Sequence, residues 1–219
     1  MVSKFRDFFF MKKNIGIQGI KGSFHHIVAN NYFEENINLI EYLSFEELIL
    51  NLFNDKIDYA IMAIENSTAG SIIPNYALID EYGVNIVGEY YLQITHNLIA
   101  LKGQSIEDIK EVQSHPMALL QCRDFFKDNA DIVLIEDKDT AHVAKKISEN
   151  KIKGLGAIAS DLASKIYGLD IITANIQTIK KNQTRFVILQ KKGPTKNLNF
   201  NKSSLKFELD HKRGSLAAI

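Results

Sequence analysis

From residue 14 to about residue 190, short apolar runs of strand length alternate with stretches of helical period. NIGIQ (14–18) is a strand, and GIKGSFHHIVANNYF opens a helix near Ser23; NLIEYL is a second strand. Ser44-Phe45-Glu46-Glu47 has the form of a capping box, so FEELILNLF follows as an amphipathic helix. DYAIMAI (58–64) is apolar almost throughout, as strands covered on both faces are. Pro74 starts a helix through Ile79 that Gly83 ends, and VNIVGEYYLQITHNLIAL (84–101) gives one long or two consecutive strands. The second half has the same grammar. EVQS is a strand, Pro116 opens the helix MALLQCRDFF, and DIVLIE is a strand. Asp139 caps TAHVAKKISE, LGAIAS is a strand, and SDLASKIYG is a helix closed by Gly168. DIITANIQ and TRFVILQ are the last strands. Strands that alternate with helices of 10–15 residues form βαβ units, so the expected class is α/β with mostly parallel sheets. Two such blocks, 14–92 and 93–175, read as two lobes, with 176–192 returning the chain to the first.

The flanks read differently. Residues 1–13 form an N-terminal extension whose charges surround a three-Phe patch and which lacks the h-region and cleavage site of a secretory signal. GPTKNLNFNKSS has the composition of a linker, taken as 193–203, and SLKFELDHKRGSLAAI (204–219) begins a strand, a turn and a helix. The chain's 26 basic and 26 acidic side chains leave no electrostatic footprint for nucleic acid. No apolar run reaches the roughly 18–20 residues of a membrane helix. The single cysteine, Cys122, rules out an intrachain disulfide and suits a cytoplasmic protein. GIQGIKGS is neither GxGxxG nor a Walker A loop, so it supports no nucleotide site. With no HExxH among six histidines, a metal site is unsupported.

In open α/β sheets, ligands bind beyond the carboxyl ends of strands, where helix N-termini converge. Four polar stretches stand at such positions: Glu65-Asn66-Ser67-Thr68 after DYAIMAI, Ser114-His115 before a Pro-initiated helix, Asp139-Thr140, and the KKNQTRF stretch containing Asn182, Thr184, Arg185 and Phe186. Each also has a plainer reading. Ser44, Ser114 and Asp139 each suit a helix N-cap, and Ser67-Thr68-Ala69-Gly70 suits a turn. His96 and His115, taken singly, read as packed or hydrogen-bonded side chains, and Cys122 as a buried inert thiol.

GIQGIKGSF, AIENSTAGSI, HNLIAL, QSHPMALLQC, DTAHVA, GAIASDLASKIYGLDIITANIQ and NQTRFVIL occur in the order of the prephenate dehydratase catalytic domain, which residues 14–190 resemble. ENS-x-x-G and N-x-TRF are the most specific pieces. The resemblance implies a two-lobed, type II periplasmic-binding-protein-like fold with an interlobe cleft, and a homodimer or higher homo-oligomer. It also implies conversion of prephenate to phenylpyruvate, CO2 and water without a cofactor. Residues 204–219 then look like the start of a truncated regulatory ACT domain, so phenylalanine is an effector only of the full-length protein. By the same carry-over Thr184 matches the catalytic threonine, and Asn66, Ser67 and Thr68 donate hydrogen bonds to substrate. Glu65 orients its neighbours or holds a proton; Ser114, Gln121, Thr140, Arg185 and Phe186 fall at or near the site. The sequence departs from the family pattern at Met117, where a Gln is usual, and at His25 and His26, where smaller residues are usual.

Prephenate loses CO2 and hydroxide together, so position and help for the departing hydroxyl are what a protein must supply; Thr184 is expected to give that help. Arg185 or helix N-termini are expected to hold the pyruvyl carboxylate, and Phe186 to give the leaving carboxylate an apolar wall. Arogenate, the amino analogue, is an alternative substrate. A non-catalytic module of the same fold, binding a small anion or amino acid, is the alternative of a different class.

Overall fold

The computed structural model describes residues 12–33, 37–193 and 202–205. In chain order the first half runs β1 (Lys13–Gln18), α1 (Phe24–Phe33), β2 (Ile37–Tyr42), α2 (Phe45–Phe53), β3 (Tyr59–Asn66), the short β4 (Gly70–Ser71), α3 (Ile73–Glu81) and β5 (Asn85–Gln93). The second continues with β6 (Asn97–Ala100), β7 (Glu111–Ser114), α4 (Pro116–Gln121), α5 (Arg123–Lys127), β8 (Val133–Glu136), α6 (Thr140–Asn150), β9 (Leu155–Ala159), α7 (Asp161–Tyr167), β10 (Asp170–Thr173) and β11 (Gln183–Gln190). Residues 1–11, 194–201 of the expected linker (193–203), and 206–219 of the expected start of a second domain (204–219) lie outside the described residues.

The strands form two sheets, one per lobe. The first has the order β2-β1-β3-β11-β5 with β4 on β3, and the second β10-β6-β9-β7-β8. In the first, β1, β2, β3 and β5 run one way and β11 runs against them. In the second, β7, β8, β9 and β10 run one way and β6 is reversed. The sheets are therefore mostly parallel in direction; apart from the two-residue β4, which pairs antiparallel with β3, each admits one reversed strand, the first strand the chain forms after crossing from the other lobe. The stretch 84–101 resolves as two strands in different sheets.

Helices cover both faces of each sheet, which is why strands such as β3 carry no polar face. Leu48, Ile49 and Leu52 of α2 pack on one face of the first sheet with Met62, Ile64, Val187 and Leu189. Val28 and Ala29 of α1 cover the other, with Ile15, Ile17, Ile61 and Phe186. Each fully buried Leu or Ile contributes about 1.5–3 kcal/mol. The approach of α2 to β1 explains Gly16: a Cβ there would stand 2.6 Å from Leu48 Cδ1. The Ser44 cap forms, its Oγ accepting from Glu47 N–H at 3.1 Å, while Glu47 Oε2 reaches back to Leu43 N–H rather than to the cap residue.

Two expected elements are shorter than read. MALLQCRDFF is two helices, because the Gln121 carbonyl accepts from Thr178 N–H at 2.8 Å and leaves the helical ladder. DIITANIQ leaves the sheet after Thr173, and Asn175 adopts φ 57° with its N–H on Asn97 Oδ1. Cys122, at the helix break, is buried, and burial pushes its thiol up to about 12. Among the described residues, no helix is long and apolar enough to cross a membrane and no cluster of His, Cys, Asp and Glu could hold a metal ion.

Candidate active site

β3 carries the first half of the site, and an irregularity decides which of its residues reach it. Thr184 pairs with Asn66 and Arg185 with Glu65, but Phe186 pairs with Ala63, so Ile64 is an extra residue on β3. A bulge puts two consecutive side chains on one face. Ile64 enters the core under α2 and α3, and Glu65 follows it to that face. Ala63 and Asn66 therefore share the opposite face, where they line the interlobe cleft.

Beyond the bulge the chain turns around the Asn66 side chain. Asn66 Oδ1 accepts from the N–H groups of Thr68 and Ala69, each at 2.9 Å, and from Thr68 Oγ1 at 2.6 Å. A backbone N–H only donates, so these contacts set the direction of every bond that follows. Asn66 Nδ2 must donate, and it does so to Thr184 Oγ1 at 2.8 Å and Asn182 Oδ1 at 2.7 Å. Asn182 Nδ2 then donates to Gln121 Oε1 at 2.9 Å, and Gln121 Nε2 to Thr68 Oγ1 at 2.8 Å. Because Thr184 accepts from Asn66, its own O–H is left to donate into the cleft. Ser67 closes the turn onto the last strand: its N–H donates to Gln183 O at 2.8 Å, and its Oγ accepts from Gln183 N–H at 2.9 Å.

The cleft encloses about 400 Å³, with walls from both lobes. Of the expected residues, Thr184, Asn66, Gln121, Thr140 and Phe186 line it. Thr68 belongs to the network at the rim and, with Gln121, faces a neighbouring hollow of about 360 Å³. The structure does not bring the others there. Ser114 is fully buried, its hydroxyl donating to Ile158 O at 2.8 Å; the side chain capping α4 is His115, which accepts from Met117 N–H. Arg185 lies on the face away from Thr184. Its guanidinium binds Glu89 Oε2 through NH2 at 2.9 Å and Glu65 Oε2 through NH1 at 3.3 Å. Glu65 also accepts from Tyr76 OH at 2.6 Å, and that bond, aided by Arg185, holds its carboxyl below the usual range against the opposing effect of burial.

Among the described residues lining the cleft there is no Lys or Arg. The wall carries the start of α1 at Ser23, Phe24 and His25, together with His96, His115 and Asp139. Asp139 Oδ1 caps α6 by accepting from Ala141 and His142 N–H; burial raises its pKa against the effect of those bonds. His25 sits edge-on to Phe186, ring centroids 5.0 Å apart, and burial lowers its pKa to about 4. His96 is a site residue that the sequence reading took for a packed or hydrogen-bonded side chain, whereas Asn182 stands in the KKNQTRF stretch that the sequence already pointed to. Asn182 precedes Thr184 by two, and residues two apart on extended chain share a face.

The comparisons agree with this architecture. The sequence model of the family described as Prephenate dehydratase matches residues 15–194. The chain belongs to the prephenate dehydratase family. It is 35% identical over 211 residues to a bifunctional chorismate mutase/prephenate dehydratase of Buchnera aphidicola subsp. Acyrthosiphon pisum, covering 94% of this chain and 54% of that protein. It is 40% identical over 178 residues to an arogenate dehydratase/prephenate dehydratase of Arabidopsis thaliana, covering 81% of this chain and 45% of that one. Among solved structures, the prephenate dehydratase of Arthrobacter aurescens in complex with L-Phe superposes with a TM-score of 0.77 at 22% identity, over 85% of this chain and 63% of that one; this supports the fold alone. The chain spans about half the length of these prephenate dehydratase relatives.

Proposed function

We propose that the chain converts prephenate to phenylpyruvate, CO2 and water, acting as a carbon–oxygen lyase of the hydro-lyase type. The hydrogen bond from Asn66 to Thr184 carries this reading, since it leaves the threonine O–H as a donor in a cleft of substrate size. In the reaction the ring C–O bond breaks as the ring C–carboxylate bond gives its electron pair to the aromatic ring. CO2 leaves, and the departing oxygen takes a proton drawn from solvent through Thr184 and leaves as water. A positioned acid of this kind is worth roughly 10²–10⁴ in rate.

Arg185 is engaged by two carboxylates away from the cleft, so the pyruvyl carboxylate is assigned to the N-terminus of α1, whose N–H groups and dipole suit an anion. The carboxylate to be lost faces Phe186, Ile72 and Ile94, where no ion pair stabilises the ground state. Asn66, Gln121 and Thr140 contact substrate. Thr68, Ser67 and Ser114 hold the wall in place, and Glu65 and Arg185 brace β3 against β11.

The reading extends to a cytoplasmic homodimer or higher homo-oligomer, with lobe 1 as 14–92 plus 176–192, lobe 2 as 93–175 and a linker at 193–203. The test follows the absorbance of phenylpyruvate after prephenate is added, with a parallel assay on arogenate. Thr184→Ala, folded by circular dichroism, is expected to lose at least about 100-fold in kcat, and Thr184→Ser far less. A loss under tenfold in the alanine variant removes the proposed role. Turnover of arogenate alone moves the substrate assignment to the amino analogue.

A further inference from the structure

The hydrogen-bond chain that ends at Thr184 has another end, at His96. Gln121 Oε1, already an acceptor from Asn182, lies 2.9 Å from His96 Nε2, so Nε2 must carry a hydrogen. A neutral imidazole has a single N–H, which leaves Nδ1 as a lone pair. Burial favours that neutral form. Nδ1 is buried without a hydrogen-bond partner among the described residues, in a side chain that forms part of the cleft wall between Phe24 and Gln121. A buried acceptor left unpaired is costly, and the cleft is where a donor can come from.

Prephenate offers one donor. Its two carboxylates are ionised and its keto oxygen only accepts, so the ring hydroxyl alone carries a hydrogen that can be given. Resting on the dehydratase reading above, we propose that His96 Nδ1 accepts the hydrogen of the substrate's ring hydroxyl while Thr184 donates to the same oxygen. The two ends of one network would then grip a group that is both donor and acceptor, which a carbonyl or an ether is not. Accepting that hydrogen also makes the oxygen a better proton acceptor, in the direction the reaction needs. His96 thereby selects and orients the hydroxyl that leaves.

Two substitutions separate this role from a structural one. His96→Asn places an acceptor near the position of Nδ1 and gives up the bond to Gln121; His96→Gln keeps a donor near Nε2 and removes the Nδ1 acceptor. In the 219-residue chain, His96→Gln is expected to lose about tenfold in kcat/KM and His96→Asn no more than about threefold. In nitrogen-15 spectra of histidine-labelled protein, the free chain is expected to show Nδ1 without hydrogen. Prephenate added to Thr184→Ala should shift that resonance toward the hydrogen-bonded range, and phenylpyruvate, which lacks the hydroxyl, should not. Equal losses in the two variants, a free-state Nδ1–H tautomer, or the same shift with phenylpyruvate would overturn the proposal. Failure of wild-type protein to bind or turn over prephenate instead removes the reaction itself, and the hydroxyl assignment with it; the free-state spectrum still reports the tautomer.

Discussion

At the scale of single residues, the site is governed by the direction of its hydrogen bonds. Asn66→Asp shows why: a carboxylate can still accept from Thr68 and Ala69 N–H, but it cannot donate to Thr184 or Asn182. The substitution sets acceptor against acceptor at Asn182 and draws the Thr184 O–H to the new carboxylate and away from the cleft, so kcat is expected to fall by about 100-fold or more while secondary structure by circular dichroism is retained. His25 titrates in a predictable direction. Its pKa is 6.5 in the unfolded chain and about 4 when buried between Phe45 and Phe186. Between those values the unfolded state binds the extra proton, so stability is intact above pH 6.5 and declines as pH falls toward 4. The loss reaches about 3 kcal/mol at pH 4. Urea unfolding of wild type and His25→Phe at pH 7 and pH 4.5 checks this; the difference between the two proteins should grow in favour of the variant at the lower pH.

At the scale of elements, the Gly-rich turn between β1 and α1 is a docking surface between lobes. Ser160 Oγ, which caps α7, donates to Gly22 O at 2.6 Å, and Tyr167 OH donates to Lys21 O at 2.7 Å. Gly22 has φ 93°, and a Cβ there would lie 3.0 Å from Ala163 Cα. Gly22→Ala is therefore expected to cost about 1–3 kcal/mol, read from the denaturant midpoint, and to raise KM more than it lowers kcat. A change confined to kcat would argue against a docking role. The periodicity of GIQGIKGS excluded a nucleotide loop, and the packing supplies the reason these glycines stand there. The bulge at Ile64 acts at the same scale: a one-residue slip sends Glu65 to Arg185 and Asn66 to Thr184, which parity counted from DYAIMAI would reverse.

At the scale of the whole molecule, the cleft is held from both sides. Gln121 of the second lobe ties Thr68 and Asn182 on one side, and Ser160 and Tyr167 grip the Gly-rich turn on the other. Gln121→Ala cuts the first tie. Small-angle scattering of the ligand-free variant is expected to show a larger radius of gyration than wild type, and KM should rise by about tenfold. An unchanged radius would mean that the second seam alone keeps the lobes together.

The order of strands and helices, the α/β class, the caps at Ser44 and Asp139 and the identity of the ENS and TRF motifs were legible in the sequence, because propensity, period and capping act within a few residues. The sequence reading also placed Thr184 and Asn66 at a shared cleft. What it did not separate were neighbours one position apart. Glu65 and Arg185 sit beside cleft residues yet face the other way, and Ser114 is spent on a strand carbonyl. Asn182 and His96 join the site through partners 61 and 25 residues away in the chain. Which side of a strand a residue faces after a bulge, and which acceptor lies within 3 Å of it, depend on chain segments remote in sequence. Only the packed structure sets those distances.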